Sequence, residues 1–261
     1  MSRSARRLRK QTAKANQIDV RFVDYDVRRE ALIPKKTFRL HDLVKIAPKT
    51  EKQRDAMIEW FDREKNSDEF YNDTVVLIGS AGTGKTFLAC HMALQLVLNE
   101  NEPYKKIVIV RSAVQSRNIG FLPGEEGDKI SVFKAPYKYL FDKLVNYSKA
   151  YQNMEDLGIV QFECTSFLRG TTFEDAIVIF DECQDTTQEE FETVITRFGR
   201  NCRMFIVGDG AQNDIGTQSG FNKVMRVLTK MDGVSVVEFG IEDIVRSGFV
   251  KEYLRAKSKM L

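Results

Sequence analysis

One stretch restricts this chain more than any other. The apolar run Thr74, Val75, Val76, Leu77, Ile78 leads directly into Gly79, Ser80, Ala81, Gly82, Thr83, Gly84, Lys85, Thr86 and Phe87, after which apolar residues return at helical spacing. Strand, glycine loop and helix in that order predict a phosphate-binding loop with Gly79, Gly84, Lys85 and Thr86 at the diagnostic spacing. Gly79, Gly82 and Gly84 permit positive φ and turn backbone N–H groups inward as a cradle for phosphate oxygens. Lys85 brings a point charge to the β- and γ-phosphates, and the Thr86 hydroxyl is placed to ligate Mg²⁺ where the helix dipole favours anions. The competing reading is a flexible glycine link between two core elements; the strand before it and the helix after it count against that.

The 261 residues suit one α/β unit with insertions, and no apolar run approaches the roughly 18 residues of a membrane span. No apolar leader follows Met1, so a soluble, cytoplasmic protein is expected, with no membrane partner. Cys90, Cys164, Cys183 and Cys202 lie singly beside apolar stretches, as reduced core residues do. His41 and His91 have no partner at ligand spacing.

Charge is uneven. Residues 1–17 hold Arg3, Arg6, Arg7, Arg9, Lys10 and Lys14 without an acid, so a net charge of +3 leaves the remainder at −3. This tail is either a solvated, disordered end or an arm for nucleic-acid phosphates.

Residues 18–49 read as an N-terminal strand and turn segment, with a short strand at 18–25. Residues 50–261 read as one domain, starting with a helix at 51–64 whose Ala56, Met57, Trp60 and Phe61 share a face. The next elements expected are a helix at 85–98, a strand at 107–110, an insertion at about 113–158 in which Tyr137, Leu140, Phe141 and Leu144 form a helical face, and strands at 159–164 and 176–180. A helix at 187–198, a strand at 204–207, a helix at 221–228, a strand at 234–239 and a last helix at 241–256 carrying Arg246 complete the chain.

The strand at 176–180 ends in Asp181 and Glu182. Acids at the carboxyl end of a parallel strand stand on the ligand edge of the sheet, where the glycine loop also lies. There Asp181 would hold Mg²⁺ and Glu182 would orient and deprotonate the attacking water. A solvated turn is the alternative for two acids after a strand. Asp209 and Gln212, leaving the strand at 204–207, are placed to sense the γ-phosphate from the same edge.

Residues 79–86, 120–124, 167–170, 181–184 and 208–212, with Ile244, Val245 and Arg246, together resemble the PhoH family of phosphate-starvation-inducible P-loop ATPases. The resemblance implies a three-layer, RecA-like α/β core with a mainly parallel sheet, similar to superfamily 1 helicases. It also implies an ATPase that uses ATP and Mg²⁺ and acts on RNA or another single-stranded nucleic acid. Through it Gln53 is similar to the glutamine that reads the adenine edge, although an exposed helix residue would look the same. Gln184 and Gln212 are similar to glutamines that couple the γ-phosphate to bound nucleic acid. Arg111 and Arg169 join the tail as nucleic-acid contacts. Two positions depart from the family pattern: Ser112 stands where proline is usual, and Cys183 where alanine is usual.

Such helicases place nucleotide between two cores, and this chain has one. The resemblance therefore implies a homo-oligomer, a ring such as a hexamer, in which a neighbour donates Arg246, or failing that Arg111, to the transition state. A salt bridge from Arg246 to Glu242 or Asp243 is the alternative. Compact versions with basic starts occur in tailed phages, which would place the protein in host cytoplasm. A small-molecule kinase with its acceptor site in 113–158, and a nucleotide-gated interaction protein with negligible turnover, remain the competing functions.

Overall fold

The computed structural model describes residues 36–61, 74–112, 126–168, 170–210 and 212–258. Two compact units divide the chain at Thr37 and Phe38. Of the first, only Lys36 and Thr37 are among the described residues, so the expected strand at 18–25 and the basic tail lie outside them.

In the second unit six strands form one sheet: β1 Thr74–Gly79, β2 Lys106–Arg111, β3 Val160–Cys164, β4 Ala176–Phe180, β5 Cys202–Gly208 and β6 Val234–Phe239. Their order is β3-β2-β4-β5-β1-β6, and every ladder is parallel. The α/β expectation therefore holds, with a sheet that is parallel throughout. The central strands β4 and β5 are buried along their whole length, as strands covered on both faces must be.

Alternate residues divide between two cores. Val75, Leu77, Ile107, Ile109, Ile177, Ile179, Phe205 and Val207 face one cluster. Val76, Val108, Val110, Val178, Phe180, Met204 and Ile206 face the other, as the two-residue strand period requires. Helices α1 Glu51–Phe61, α2 Lys85–Val97, α3 Glu126–Leu144 and α4 Ala150–Asp156 cover the first face. The opposite face carries α5 Gln188–Ile195 and α6 Phe221–Leu228, and α7 Gly248–Ser258 ends the described chain. This is the three-layer arrangement expected.

Helix α2 is buried nearly all round, including Leu88, Ala89, Met92, Ala93 and Leu96, because it lies on the sheet and is itself overlain. The lone tryptophan, Trp60 of α1, is fully buried, stacked on Phe205 at 3.8 Å between centroids and covered by the Arg203 guanidinium, which also donates to Trp60 O at 2.8 Å.

Three differences from the sequence reading matter for the site. The described part of the expected insertion is the crossover from β2 to its neighbour β3, and its helices bury Tyr137, Phe141, Tyr151 and Met154 in the main core. Residues 38–49 join the sheet-bearing unit, because Phe38 and Leu43 are buried in that core and Val44 N donates to Leu144 O at 2.8 Å. The single last helix is replaced by a 3₁₀ turn, Ile241–Asp243, an extended Ile244 and then α7. Val245 N donates to Gly82 O at 3.1 Å, a bond made outside any helical ladder, so Arg246 sits in a connecting segment rather than on a helix.

Candidate nucleotide site

A parallel sheet brings the carboxyl ends of β1, β4, β5 and β6 to one edge, and the predicted residues meet there in a cleft of ≈ 1080 Å³. Gly79, Gly82 and Gly84 have φ of 118°, 80° and 86°, a left-handed region that side chains disfavour. Gly79 is also sterically required, because a Cβ there would run into Phe239 O, against which the loop is tied by Ser80 N at 3.0 Å. Thr83 Oγ1 closes the loop internally by donating to Ser80 O at 3.0 Å. Ala81 and Phe87 line the cleft.

Lys85 opens α2 and turns back to donate to Gly79 O at 2.6 Å and Ser80 O at 2.9 Å, so its ammonium is held at the loop's mouth. Burial pulls its pKa below the usual lysine range, against the opposing fields of Asp209, Glu182 and Asp181. Next to it Thr86 Oγ1 donates to Asp181 Oδ1 at 3.1 Å.

Asp181 is buried at the end of β4, and its other oxygen accepts the Tyr137 hydroxyl at 2.7 Å. Burial, and then Glu182, push its carboxyl up, while the Tyr137 bond, Arg111 and Thr86 act in the other direction. The Tyr137 phenol is itself driven well up by burial and by Asp181, which keeps it protonated as the donor. Chain spacing gave no sign of Tyr137 as a site residue; the only hint was its place on an apolar helix face.

Glu182 adopts a left-handed φ of 53°, a strained backbone conformation for a residue that carries a side chain. Gln184 Nε2 fixes it by donating to Glu182 Oε2 at 2.7 Å, while Gln184 Oε1 accepts Asp209 N at 2.9 Å. One buried carboxamide thus links the ends of β4 and β5. Gln212 is exposed on the cleft wall, its N–H donating to Asp209 O at 2.9 Å. Both departures from the family pattern have local partners: Ser112 Oγ donates to Glu190 Oε1 at 3.4 Å, and Cys183 Sγ lies against Gly208.

Gln53 is not an exposed helix residue. It is buried, with Oε1 accepting Lys49 N at 2.8 Å and Nε2 donating to Thr83 O at 2.9 Å. Its carboxamide ties the loop to the segment Lys45, Ile46, Ala47, Pro48 and Lys49 that forms another wall of the cleft. His91 Nε2 supports the same segment through Val44 O at 2.9 Å.

Arg246 bears on the loop of its own chain, its stem beside Gly82. The acids of the alternative salt bridge have other partners: Glu242 pairs with Arg255 at 2.6 Å and Lys251 at 3.0 Å, and Asp243 Oδ2 accepts Gly240 N at 2.9 Å. Arg111 is half-buried, 5.5 Å from the Phe133 ring centroid, and does not line the cleft. Arg3, Arg6, Arg7, Arg9, Lys10, Lys14 and Arg169 lie outside the described residues.

The donor set fits Mg²⁺. A hydroxyl and a carboxylate in contact are hard oxygen ligands, and Mg²⁺ takes only one or two carboxylates from protein when phosphates supply the rest. No cluster of three or more His, Cys, Asp or Glu residues able to hold a metal by itself occurs among the described residues.

A parallel α/β sheet with a glycine loop after β1 and an acid pair after β4, meeting at one edge, defines a P-loop NTPase core. The chain belongs to the PhoH-like protein family, whose model matches residues 45–257. It is 36% identical over 193 residues to a PhoH-like protein of Bacillus subtilis, covering 72% of this chain and 59% of that protein. To a PhoH-like protein of Synechocystis it is 34% identical over 191 residues, 71% of this chain and 56% of the relative. To Protein PhoH of Escherichia coli K12 it is 32% identical over 184 residues, 69% and 51% respectively. The match thus spans little more than half the length of these relatives. A solved structure of C. elegans PCH-2 covers 75% of this chain and 43% of its own at 17% identity, with a TM-score of 0.27 that adds nothing to the argument. No helix among the described residues is long and apolar enough to cross a membrane.

Proposed function

We propose that this protein binds ATP with Mg²⁺ in the cleft at the carboxyl edge of its sheet and hydrolyses it. The observation that carries the reading is the contact of Thr86 with Asp181, beside Lys85 and Glu182, which joins the loop to the acid pair across the sheet. The loop amides and Lys85 would bind the phosphates. Thr86 and Asp181 would hold Mg²⁺, which when bound neutralises charge on the phosphate oxygens. Glu182, held by Gln184, would orient the attacking water and take its proton. Gln212 and Asp209, linked to Gln184 through the Asp209 backbone, would respond to the terminal phosphate.

Single-turnover phosphate release from purified protein tests this directly. Lys85→Ala is expected to abolish both binding and release. Glu182→Gln is expected to keep nucleotide bound and stop release. Hydrolysis by Glu182→Gln at the parent rate would remove Glu182 from the role of base, and negligible release by the parent would favour a nucleotide-gated binding protein.

Coupling to RNA or another single-stranded nucleic acid is the second part of the proposal. Its support is the basic run at residues 1–17. Six phosphate contacts would give a log–log salt dependence of about −4, at roughly −0.7 per contact on a single strand. Truncation to Ile18 is expected to flatten that slope, and an unchanged slope would leave the tail merely solvated. Stimulation of ATPase by single strands separates this from a small-molecule kinase, which would instead phosphorylate an acceptor stoichiometrically.

A further inference from the structure

We propose that α7 of one copy of this protein docks in the groove between α5 and α6 of a second copy, with Phe249 as the anchor, so that chains associate head to tail. The inference goes beyond the nucleotide reading and does not depend on it.

The groove lies on the face of the sheet opposite α2, with a space of ≈ 170 Å³. Ile195, Val224 and Leu228 line it and continue into the second core cluster. A dry apolar cavity of roughly 150 Å³ takes up benzene, so the groove has room for one aromatic ring. Val227 and Met231, on its α6 side, are 60% and 47% exposed, which leaves apolar surface uncovered there.

Helix α7 carries rings to match. Phe249 and Tyr253 are 81% and 60% exposed, and four residues apart they stand one turn apart on the same helix face. Among the described residues none from α7 lines the groove of its own chain. One chain thus presents an uncovered aromatic pair and, elsewhere, an uncovered apolar groove sized for a ring. An aromatic anchor in a pocket with a polar rim is the usual energetic centre of a protein interface.

The charges agree with this pairing. Glu192 lines the α5 wall of the groove and Lys223 the α6 wall. Glu252 and Lys257 lie on the exposed face of α7 beside the aromatic pair. Among the described residues none of these four charges is held in an ion pair. Docking α7 in the groove sets Glu252 toward Lys223 and Lys257 toward Glu192, the combinations of opposite sign across the contact. Two grooves placed face to face would leave Phe249 and Tyr253 bare.

Because the two surfaces differ, the contact is heterologous, giving a ring where the rotation closes and a filament where it does not. Neither copy has to complete the other's cleft, unlike the ring implied by the resemblance. Helix α5 follows the acid pair after β4, and α7 follows the segment in which Val245 N is bonded to Gly82 O. The contact therefore connects the glycine loop of one copy to the acid pair of the next through two helices.

Sedimentation velocity of the nucleotide-free full chain over a wide concentration range tests the proposal. The parent is expected to sediment faster as concentration rises. Phe249→Asp and Val227→Asp, both at exposed positions, should each weaken association by about 30-fold or more, as loss of an interface hot spot does. An equimolar mixture of these two variants should form dimers and nothing larger, because one intact α7 and one intact groove remain between them. Glu252→Lys and Lys223→Glu should each weaken association by a smaller factor, and together in one chain should restore it. A parent that stays monomeric throughout would overturn the proposal and leave the groove to a different protein. Association unchanged by Phe249→Asp, or a mixture that stays monomeric, would overturn it too. No nucleotide enters the measurement, so its failure leaves the nucleotide reading standing, and failure to hydrolyse ATP leaves this inference standing.

Discussion

The Tyr137 hydroxyl donates to Asp181 Oδ2 at 2.7 Å, in a fully buried contact between α3 and the end of β4. With Thr86 on the other oxygen at 3.1 Å, the carboxylate has both faces fixed before any ligand arrives. The crossover between β2 and β3 therefore reaches the candidate nucleotide site through this phenol, and Leu140 of the same helix lines the cleft.

Tyr137→Phe should remove that bond while keeping the ring in the core. Leaving one oxygen of a buried acid without its donor is expected to lower stability by about 1–3 kcal/mol. It should also raise the Mg²⁺ concentration needed for nucleotide binding, because Asp181 is then held through Oδ1 alone. Urea unfolding and a Mg²⁺ titration of nucleotide binding read the two effects; an unchanged unfolding midpoint would mean the bond contributes nothing.

Gly208 offers a coupled pair with the unusual Cys183. A Cβ at Gly208 would lie 2.6 Å from Cys183 Sγ and 3.0 Å from Gln184 Oε1. Gly208→Ala is expected to cost about 1–3 kcal/mol by overpacking. Adding Cys183→Ala should recover most of that loss, a coupling of about 0.5–3 kcal/mol in a double-mutant cycle. Strict additivity would show that the clash is relieved elsewhere.

His91 gives the protein a pH-dependent term. Burial holds its pKa below the ordinary 6.5, partly offset by the bond to Val44 O. Its Nδ1 is buried without a partner, so the protonated ring would carry an unsatisfied donor. The unfolded chain then binds more protons than the folded one: stability is full above about pH 6.5 and falls below it, by at most about 1.4 kcal/mol per pH unit. His91→Gln, which keeps a donor for Val44 O, should flatten this part of the pH profile of unfolding. An identical profile would assign the effect to other groups.

Gln53 separates a clamp from a base reader. Because its carboxamide already bridges Lys49 N and Thr83 O, Gln53→Ala should weaken ATP and GTP binding alike, with a stability loss of about 1–3 kcal/mol. A loss confined to ATP in competition binding would instead show that Gln53 reads adenine.

The elements legible in the chain were those whose chemistry is contiguous. The run Thr74 to Ile78, the glycines, Lys85 and Thr86 stand side by side, and local backbone demands alone require their order. Strands β2, β4 and β5 were legible because burial on both faces leaves an unbroken apolar run. Asp181 and Glu182 followed, since in a parallel sheet the end of every strand faces the same edge.

Side-chain partners drawn from distant elements were not legible. Apolar spacing placed Tyr137 on a buried helix face, yet it carries no record of which carboxylate its hydroxyl will meet. The same holds for Gln53, which looks like any polar residue in a first helical turn until α1 packs beside the loop. Arg246 marks the boundary most sharply. Local sequence favoured a continuous last helix, but a helix would have to use the Val245 N–H in its own ladder, and the folded chain gives that N–H to Gly82 O. A contiguous motif determines its own backbone, whereas the destination of a lone donor or charge depends on which surfaces the packed sheet and helices bring within reach.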